Sequence, residues 1–444
     1  MGRERSAAPR VIHDRWRQSN SFSVMTDSTN TSSNASGTAS RPGGRRVCML
    51  VYSFFESDNR VLRYARALVD RGDQVDVIAL GTEDANQPDF EVLDRVNVYR
   101  IQRRARNEKG KFSYLYRLLK FCLKSMVFLT RLQLKHKYDL VHVHNVPDFL
   151  VFSALAPKLG GARIILDIHD IAPEFFANKF KRSNENMYVS GLRMVESLSC
   201  SFADHVIISN HLWRDKITMR SVPRDKCSVF INHVDVAVFN RERTRQDGPF
   251  VMLYHGGLQR HQGLDLAINA FSKVLHHVPG AEFHIYGGGN VKPDLQALVK
   301  DLGLETKVRF FESMSMREIA AVVANADLGV VPKRADSFGN EAFSTKIMEY
   351  MAEGVPVIVS KTKVDTYYFN DSIVRFFESG NEKELAEAML SLMKDAAQRA
   401  KLSANAKEFV ALNSWDVKKH EYLRVVDSLL NVPRTRPVPV ASNS

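Results

Sequence analysis

Apolar runs typical of strands alternate with amphipathic helical segments from Arg46 onward, and this alternation limits the possible folds more than any other feature. RRVCMLVYSF at 45–54 is rich in strand-forming residues. NRVLRYARALVDRG at 59–72 has apolar residues at helical spacing and ends on Gly72, and QVDVIAL at 74–80 is a second strand. The order strand, helix, strand predicts a parallel βαβ unit. The same pattern recurs in DLVHVHN, ARIILDIHD, HVIIS and CSVFIN up to about residue 236.

The pattern breaks at VAVFNRERTRQDGP, a segment with the charge, Gly and Pro of a linker, and then begins again. FVMLYHGG, AEFHIYGGG, KVRFFE, DLGVVP and VPVIVS read as strands, and helices are predicted from Leu264 to about Val278, Met316 to Ala324 and Lys383 to Met393. The predicted fold class is therefore α/β, with two Rossmann-like, doubly wound domains facing a cleft, at 45–236 and 237–412. Residues 1–44 are expected to be a disordered tail, because fifteen of the twenty-two residues from Ser19 to Ser40 are Ser, Thr or Asn.

A lysine stands where a helix is predicted to begin in SFGNEAFSTKIMEY, residues 337–350. Ser344 is a suitable N-cap, and Gly354 ends the helical pattern. Lys346 then lies in the first turn, where the helix dipole disfavours a cation by roughly 0.3 to 1 kcal/mol unless an anion is shared. Because Thr345 and Lys346 precede Glu349 by four and three positions, they are expected to share a face with it. The pattern is compatible with a phosphate at Lys346 and a ribose held by Glu349, although a motif of this kind taken alone is more often a solvated lysine at a helix start.

Glycines and cations follow the predicted strands of the second half. Gly256-Gly257, Gly287-Gly288-Gly289 and Pro332-Lys333-Arg334 each come directly after a strand. Ligands of open parallel sheets bind at the carboxyl ends of strands, and glycines let backbone N–H groups approach a diphosphate. We expect Arg260, Lys333, Arg334 and Lys346 to neutralise that diphosphate, although each glycine cluster alone is more often only a tight turn.

Much of the net charge of +12 lies in one segment. From Ile101 to Lys137 there are eleven basic residues and one acidic residue, Glu108. Within it, FSYLYRLLKFCLKSMVFLTRL combines apolar residues and cations at spacings of three or four. This composition favours a helix on an anionic membrane surface, and a core-packing helix with a solvated basic face is the alternative. No nucleic-acid-binding motif accompanies the charge, so nucleic acid is not expected as a partner.

Composition otherwise indicates a globular protein of the cytoplasm. The chain is 44% hydrophobic and 25% charged, and it contains no run of 18 apolar residues that would span a bilayer. The four cysteines, Cys48, Cys122, Cys200 and Cys227, lack paired or metal-binding spacing, which suggests reduced thiols and no zinc site. Together with the basic segment, this predicts a cytoplasmic protein that is peripheral at the inner face of the membrane.

The sequence resembles the retaining nucleotide-sugar glycosyltransferases of family 4, which have the GT-B fold. The resemblance rests on the Glu-x7-Glu spacing of Glu341 and Glu349 within SFGNEAFSTKIMEYMAEGVPVI. It extends over nearly all of the chain after the tail, through SFFESDNRVLRYARALVDRG, VHVHNVPDFLVFSALAPKLGGARIILDIHD, FINHVD, YHGGLQRHQGLDLAI, IYGGGN and VVPKRADSF. NSW at 413–415 and the last helix are similar to the family segment that crosses back to the N-terminal domain. The resemblance therefore implies that residues 413–444 form a helix crossing back to the N-terminal domain, followed by a tail.

The resemblance implies roles for individual residues. Glu349 would hold the donor ribose, and Glu341 would lie against the donor sugar. His169 in DIHD would face that sugar across the cleft, making His169 and Glu341 the catalytic candidates. The diphosphate would be held by Gly256, Gly257, Arg260, Lys333, Ser344, Thr345 and Lys346. The implied partners are a nucleoside-diphosphate sugar and a lipid-linked or saccharide acceptor, with no cofactor and no bound metal. Asp167 and Glu174 are interpreted as ordinary polar residues at a strand end and a turn.

Two positions depart from the family pattern. Many members have an Arg and a Lys in the first loop of the C-terminal domain, where this chain has Gly257 and Gln262. Arg260 or His261 is the candidate replacement, with more of the charge supplied by Lys333 and Lys346. The same departure is the one feature that favours a non-catalytic scaffold of the GT-B shape.

Two enzyme alternatives remain. A GT-B sugar-nucleotide epimerase would need no lipid acceptor, so it gives no reason for the basic helix. A nicotinamide-dependent oxidoreductase is disfavoured, because VYSFFESDNRVLR contains no glycine and GGGNVK lacks the last glycine of G-x-G-x-x-G.

Overall fold

The computed structural model describes residues 44–104, 111–179, 187–245, 247–336 and 338–431. The predicted disordered tail lies outside this part of the chain except for Gly44, and so does the end of the predicted C-terminal segment. Two separate β-sheets follow one another along the described chain.

The N-terminal half contains eight strands and six α-helices among the described residues. The strands are β1 (Arg46–Phe54), β2 (Gln74–Gly81), β3 (Phe90–Leu93), β4 (Val96–Arg103), β5 (Leu140–His144), β6 (Arg163–Ile168), β7 (His205–Ile208) and β8 (Cys227–Val229). The helices are α1 (Asn59–Asp70), α2 (Lys111–Lys135), α3 (Leu155–Leu159), α4 (Ala172–Lys179), α5 (Met187–Phe202) and α6 (His211–Thr218). The sheet order is β3-β4-β2-β1-β5-β6-β7-β8, and only β3 is antiparallel to its neighbour.

Helices cover both faces of this sheet, which explains why its central strands are almost continuously apolar. In the register of β1, Met49 lies between Val77 of β2 and His142 of β5. On one face, residues of α1 pack against Val47 and Met49. On the other face, α2 and α5 contribute residues such as Phe121 to a core around Leu50.

The C-terminal half repeats the architecture with six parallel strands. They are β9 (Val251–His255), β10 (Glu282–Tyr286), β11 (Val308–Phe311), β12 (Leu328–Val331), β13 (Val357–Lys361) and β14 (Arg375–Glu378), in the order β11-β10-β9-β12-β13-β14. Its helices are α7 (Leu264–Val274), α8 (Lys292–Asp301), α9 (Met316–Ala324), α10 (Thr345–Ala352), α11 (Lys363–Tyr368), α12 (Glu382–Lys394) and α13 (Ala396–Asn413). The sequence prediction of two doubly wound α/β domains is confirmed.

The last described helix, α14 (Trp415–Leu430), returns to the N-terminal half. Its residues Trp415, Tyr422 and Val426 are buried in the core formed with α1. The backbone N–H of Trp415 donates to the carbonyl of Val234 at 2.9 Å, and Tyr422 Oη lies 3.1 Å from Nδ1 of His142. Helix α14 therefore ties the two halves together beside the cleft.

Candidate active site

The carboxyl ends of β1 and β6 and the start of α10 surround a cavity of about 380 Å³. The N-terminal half contributes most of its lining, and Thr345 and Glu349 come from the C-terminal half. Ligands of open parallel sheets bind at this position. The lining is mainly polar and includes Ser53, Ser57, Asp58, Asn59, Arg60, Arg63, His169, Asn232, His233, Asp235, Thr345 and Glu349.

Helix α10 begins without a side-chain cap. Ser344 occupies the N-cap position with extended backbone angles, as the sequence predicted, but its side chain makes no capping hydrogen bond. The hydroxyl is buried, and its Oγ has no hydrogen-bond partner within the described residues. A buried polar group without a partner costs about 1–3 kcal/mol, so a ligand that engaged this hydroxyl would recover that energy.

Lys346 lies in the first turn of α10 and folds back over the loop after β9. A Cβ atom placed on Gly256 would lie 3.2 Å from its Nζ and 3.4 Å from its Cδ, and Gly256 has a φ of +122°. The positive φ favours glycine there, and the lack of a side chain leaves room for the end of the lysine. Burial lowers the pKa of the Lys346 ammonium to about 8, although Glu349 opposes the shift.

Glu349 is one turn further along α10 and has a displaced pKa as well. Burial raises the pKa of its carboxyl to about 7, while Lys346, Arg63 and a hydrogen bond with Thr345 oppose the rise. Its Oε2 lies 3.4 Å from Nε2 of His255, and burial, together with Lys346, lowers the pKa of that imidazole to about 3. The carboxyl thus titrates near neutral pH and faces the cavity.

The start of α10 is therefore equipped for an anion. It combines an unpartnered hydroxyl, an ammonium and the free N–H groups of a first helical turn, and the dipole of the helix favours negative charge there. A bound phosphate would raise the lowered pKa of Lys346 and keep that side chain charged.

The predicted residues of the first loop, Gly256, Gly257 and Arg260, are exposed. The N–H of Gly256 donates to the carbonyl of Tyr286 at 3.0 Å, so this amide is already used. The sequence suggested that Gly256 offers its N–H to a diphosphate. In the structure this N–H is already bonded, and Gly256 instead makes space for Lys346. Gly257 and Arg260 stay candidates for phosphate contacts.

The prediction that Lys333 binds phosphate is not supported by its surroundings. Its side chain is 2% exposed. The ammonium lies 2.9 Å from Oδ2 of the fully buried Asp365 and donates to the carbonyl of Ala342 at 2.7 Å. Because its charge is neutralised within the protein, Lys333 holds two segments of the C-terminal half together and is not free to balance a ligand.

Glu341 lies between the two halves. Its carboxylate forms an ion pair with Lys216 of α6, and its backbone carbonyl accepts a hydrogen bond from Asn210 Nδ2 at 3.0 Å. The side chain of Glu341 is 12% exposed, and it is not among the lining residues of the cavity. Its predicted contact with a donor sugar stays a prediction.

His169 projects into the cavity from the loop after β6 and is held by a buried charge cluster. Its Nε2 lies 3.2 Å from Oδ2 of Asp167 and 3.2 Å from Nδ1 of His144. Asp167 in turn accepts two hydrogen bonds of 2.7 Å from Nε and Nη2 of Arg60. Asp167 therefore positions a cavity-lining histidine, which the interpretation as an ordinary strand-end residue missed.

The charges in this cluster are fixed by their neighbours. Burial by itself would raise the pKa of Asp167, but Arg60 and His169 outweigh it and hold the pKa of that carboxyl well below its usual range. Burial lowers the pKa of His144 despite the nearby carboxylate. Within the described residues, His142, His144 and Asp167 are close enough together to ligate a metal ion. Since Arg60 engages both oxygens of Asp167, an added cation would have to displace a guanidinium.

Aromatic contacts join the halves next to Glu341. The Phe338 ring packs against Phe175, Trp213 and His261 with centroid distances of 5.3–6.0 Å. The backbone N–H of His211 donates to Tyr368 Oη at 2.9 Å. These contacts hold the Asp336–Glu349 region against the N-terminal half.

Sequence reasoning missed four polar residues that shape the site, namely Arg60, Arg63, Lys216 and His255. Arg60 and Arg63 are on the cavity-facing side of α1, within a segment for which no site residue was predicted. A signal was present, because arginine within a helix that must cover a buried sheet needs a partner.

Solved structures with the same architecture define the class of the fold. Sucrose-phosphate synthase from Thermosynechococcus elongatus aligns with a TM-score of 0.71 and 17% identity, covering 87% of this chain and 99% of that chain. HepE from Anabaena, solved in complex with UDP, aligns with a TM-score of 0.62 and 17% identity, covering 86% and 100%. The protein has the GT-B fold.

Sequence comparisons define the family. Residues 57–233 match the glycosyl transferase 4-like domain, and residues 237–409 match glycosyl transferases group 1. The chain therefore belongs to the glycosyltransferases. It is 26% identical over 400 residues to a D-inositol 3-phosphate glycosyltransferase from Nocardiopsis dassonvillei, covering 86% of this chain and 90% of that protein. It is also 27% identical over 333 residues to mannosylfructose-phosphate synthase from Agrobacterium fabrum, covering 68% and 70%.

Proposed function

We propose that this glycosyltransferase moves a sugar from a nucleoside-diphosphate sugar to an acceptor at a membrane face, with retention of anomeric configuration. The observation that best supports the proposal is the start of α10, where Thr345 and Glu349 line the cavity. An unpartnered Ser344 hydroxyl and a half-buried Lys346 stand on either side of Thr345 in the sequence. The related protein HepE was solved with UDP-glucose and with UDP and glucose, which favours a nucleotide-sugar donor.

In the proposed complex the donor lies across the start of α10. Lys346, Ser344 and Thr345 bind the diphosphate, and Gly257 and Arg260 approach it from the opposite loop. Glu349 accepts hydrogen bonds from the ribose hydroxyls. His169 and Glu341 flank the donor sugar from the two sides of the cleft.

The proposed reaction needs little covalent chemistry from the protein. The bond between the anomeric carbon and the leaving phosphate oxygen breaks, and the acceptor oxygen bonds to the same carbon on the same face. The acceptor proton passes to the leaving phosphate. Lys346 and the helix start stabilise the negative charge that develops on that phosphate, and a contact of this kind is worth about 3–4 kcal/mol of transition-state stabilisation. No bound metal is invoked.

The proposed contact with a membrane is based on the exposed surface of α2. Leu115, Leu119, Leu123 and Val127 form a stripe at four-residue spacing and are each 48–64% exposed. Exposed cations run beside the stripe on the same helix, at Lys120, Lys124 and Arg131. Exposed apolar and basic side chains on one surface favour an anionic bilayer.

The opposite face of α2 is buried in the core of the N-terminal half through Phe121 and Leu129. The helix is thus a core helix with an amphipathic outer face, and the two interpretations offered by the sequence are compatible. Among the described residues, no helix is both long enough and apolar enough to cross a membrane. The proposed location is the inner face of the cytoplasmic membrane, with a lipid-linked or saccharide acceptor.

A thermal-shift series with UDP, GDP, ADP and CMP tests the donor site. A nucleotide at 100 times its dissociation constant should add about 2.7 kcal/mol to the free energy of unfolding. The effect should vanish in Glu349→Ala and persist in Glu312→Ala, whose side chain is 87% exposed and lies away from the cavity. If no nucleotide stabilises the wild type, the proposed donor site is wrong.

Product analysis then separates the possible reactions. With the preferred nucleotide sugar and a membrane-lipid extract, the proposal predicts an acceptor-dependent glycoside whose anomeric configuration, read by NMR, equals that of the donor. An epimerised donor formed without acceptor would indicate the epimerase. Nucleotide binding without any turnover would indicate a scaffold.

A further inference from the structure

A groove lies between helix α2 and the β3–β4 hairpin, on the edge of the N-terminal sheet, and none of its lining residues lines the cavity at the cleft. Its volume is about 700 Å³, within the range of pockets that hold small molecules. Apolar side chains dominate its lining: Phe90, Tyr99, Ile101, Leu123, Val127 and Phe128. None of these residues has a part in the proposed transfer reaction.

The groove has a continuous hydrophobic floor. The rings of Phe90 and Tyr99 have centroids 5.0 Å apart, and those of Tyr99 and Phe128 are 5.2 Å apart. Leu123 and Val127, one helical turn apart on α2, form the wall and are 64% and 53% exposed. Phe90 is 51% exposed on the edge strand. Leaving this many large apolar groups in water is unfavourable unless a ligand covers them.

Cations line the rim. Lys124 donates from Nζ to the carbonyl of Ile101 at 3.0 Å, and Arg131 is exposed one turn beyond Val127. Arg100 is paired with Glu56 and Glu91, and Asp89 is paired with Arg103. Among the described residues, Lys124 and Arg131 have no acidic partner, so the rim has positive charge available for a ligand.

We propose that this groove binds one hydrocarbon chain of an anionic membrane lipid, with Arg131 beside the lipid phosphate. The groove shares Leu123 and Val127 with the exposed stripe of α2, so a lipid extracted from the bilayer would reach it along the same helix. A chain of aromatic rings with a cationic rim matches an amphiphile that has an apolar tail and an anionic head. The proposal rests on the proposed function only for the membrane contact that supplies the lipid.

Titration calorimetry of the full-length protein with monomeric phosphatidylglycerols tests the proposal. Diacyl lipids with six, seven and eight carbons per chain are used below their micelle concentrations. Each methylene buried in the groove should tighten the dissociation constant about four-fold. Phosphatidylcholines of the same chain lengths should bind more weakly, because their headgroup has no net charge.

Two pairs of variants locate the binding. Val127→Trp should fill the groove and weaken binding of the eight-carbon lipid ten-fold or more, whereas Leu134→Trp, at a position of the same helix that is 83% exposed and outside the groove, should not. Arg131→Gln should reduce the preference for phosphatidylglycerol, and Lys135→Gln, in the last turn of α2, should leave it nearly unchanged.

Several outcomes would overturn the proposal. Affinity that is independent of chain length, or Val127→Trp binding as tightly as wild type, would show that no chain enters the groove. Dimerisation that Val127→Trp abolishes would assign the groove to a second copy of the protein. Nucleotides should stabilise Val127→Trp and the wild type equally. If they stabilise neither protein, the proposed function is wrong, and the lipid-binding groove is unaffected by that result.

Discussion

The two sides of the cleft differ in how completely the protein satisfies its own charges. On the N-terminal side, Asp167 receives two hydrogen bonds from Arg60 and has His144 and His169 within 3.2 Å. On the C-terminal side, Lys346 and Glu349 have pKa values displaced towards neutrality, to about 8 and about 7. The N-terminal side is therefore preorganised by internal ion pairs. The C-terminal side has charged groups that a ligand could still pair with.

The same contrast separates two lysines that follow β12. Lys333 is buried and neutralised by Asp365, whereas Lys346 lies 5.3 Å from the centre of the Tyr254 ring and keeps a lowered pKa. A lysine close in sequence to a predicted phosphate site is therefore a candidate ligand only if its charge is not already neutralised within the protein, and this condition excludes Lys333.

The largest effect on stability is expected from breaking the buried ion pair of Arg60 and Asp167 on the N-terminal side of the cleft. Arg60→Met should destabilise the protein by about 3–5 kcal/mol in urea unfolding at pH 7, because it leaves the Asp167 carboxylate buried without its partner. Removing both charges in Arg60→Met/Asp167→Leu should recover part of that loss. Arg66→Met is the control, since its ion pair with Asp94 is exposed and is worth at most about 1 kcal/mol. Equal losses in Arg60→Met and Arg66→Met would mean that the cluster does not stabilise the fold.

Lys346→Ala should have an effect of comparable size, but on the rate of catalysis and not on stability. The rate of transfer should drop about 100- to 1,000-fold, the usual effect of removing one group that stabilises developing charge, while the free energy of unfolding changes little. Lys333→Ala should show the reverse, with a loss of about 3–5 kcal/mol in stability because Asp365 is left unpaired. If Lys333→Ala folds with wild-type stability and loses donor affinity, the distinction between the two lysines is wrong.

A structural feature could be predicted from the sequence when the residues that determine it are close together in the chain. Helix α9 was predicted at its observed bounds, and its start is fixed by a capping box between Ser315 and Glu318, three positions apart. The β3–β4 hairpin was not predicted. Its turn at Asp94 and Arg95 has positive φ angles of 49° and 67° without the glycine or asparagine that marks such turns.

The site shows the same limit. The start of α10 was predicted with Ser344, Lys346 and Glu349 because one short helix places them. The pair of Arg60 and Asp167 is separated by 107 positions, and no periodicity in a single sequence reveals a partner at that distance. Lys333 was assigned to phosphate for a related reason, since its partner Asp365 lies on another element, α11.

A smaller effect is expected at Glu349, and it depends on pH. The folded-state pKa of about 7 is above the unfolded value of about 4.3, so the folded protein is less stable once the carboxyl ionises. Glu349→Gln should therefore be more stable than wild type by about 1–3 kcal/mol at pH 8, since each unit of pKa shift corresponds to about 1.4 kcal/mol. The gain should disappear as the pH falls towards 4, where the carboxyl is protonated in both states.

Urea unfolding of the two proteins at pH 4, 6 and 8 measures this difference. Glu312→Gln, altered at an exposed carboxyl, should show no pH-dependent gain. A Glu349→Gln variant less stable than wild type at pH 8 would mean that the carboxylate is well solvated or well paired, and the C-terminal side would then be no less satisfied than the N-terminal side.

The smallest effect is expected at the contact that joins the two sides, the ion pair of Lys216 and Glu341. Because the Lys216 side chain is 38% exposed, Lys216→Met should cost less than about 1 kcal/mol of stability. The pair nevertheless sets the position of Glu341, so if Glu341 contacts the donor sugar, the variant should raise KM for the nucleotide sugar several-fold and leave the affinity for the free nucleotide unchanged. Lys292→Met, which removes an ion pair to the exposed Glu312, should alter neither quantity. Unchanged KM in Lys216→Met would mean that the ion pair does not position Glu341 for the donor sugar, and the pair would then act only as an interdomain contact.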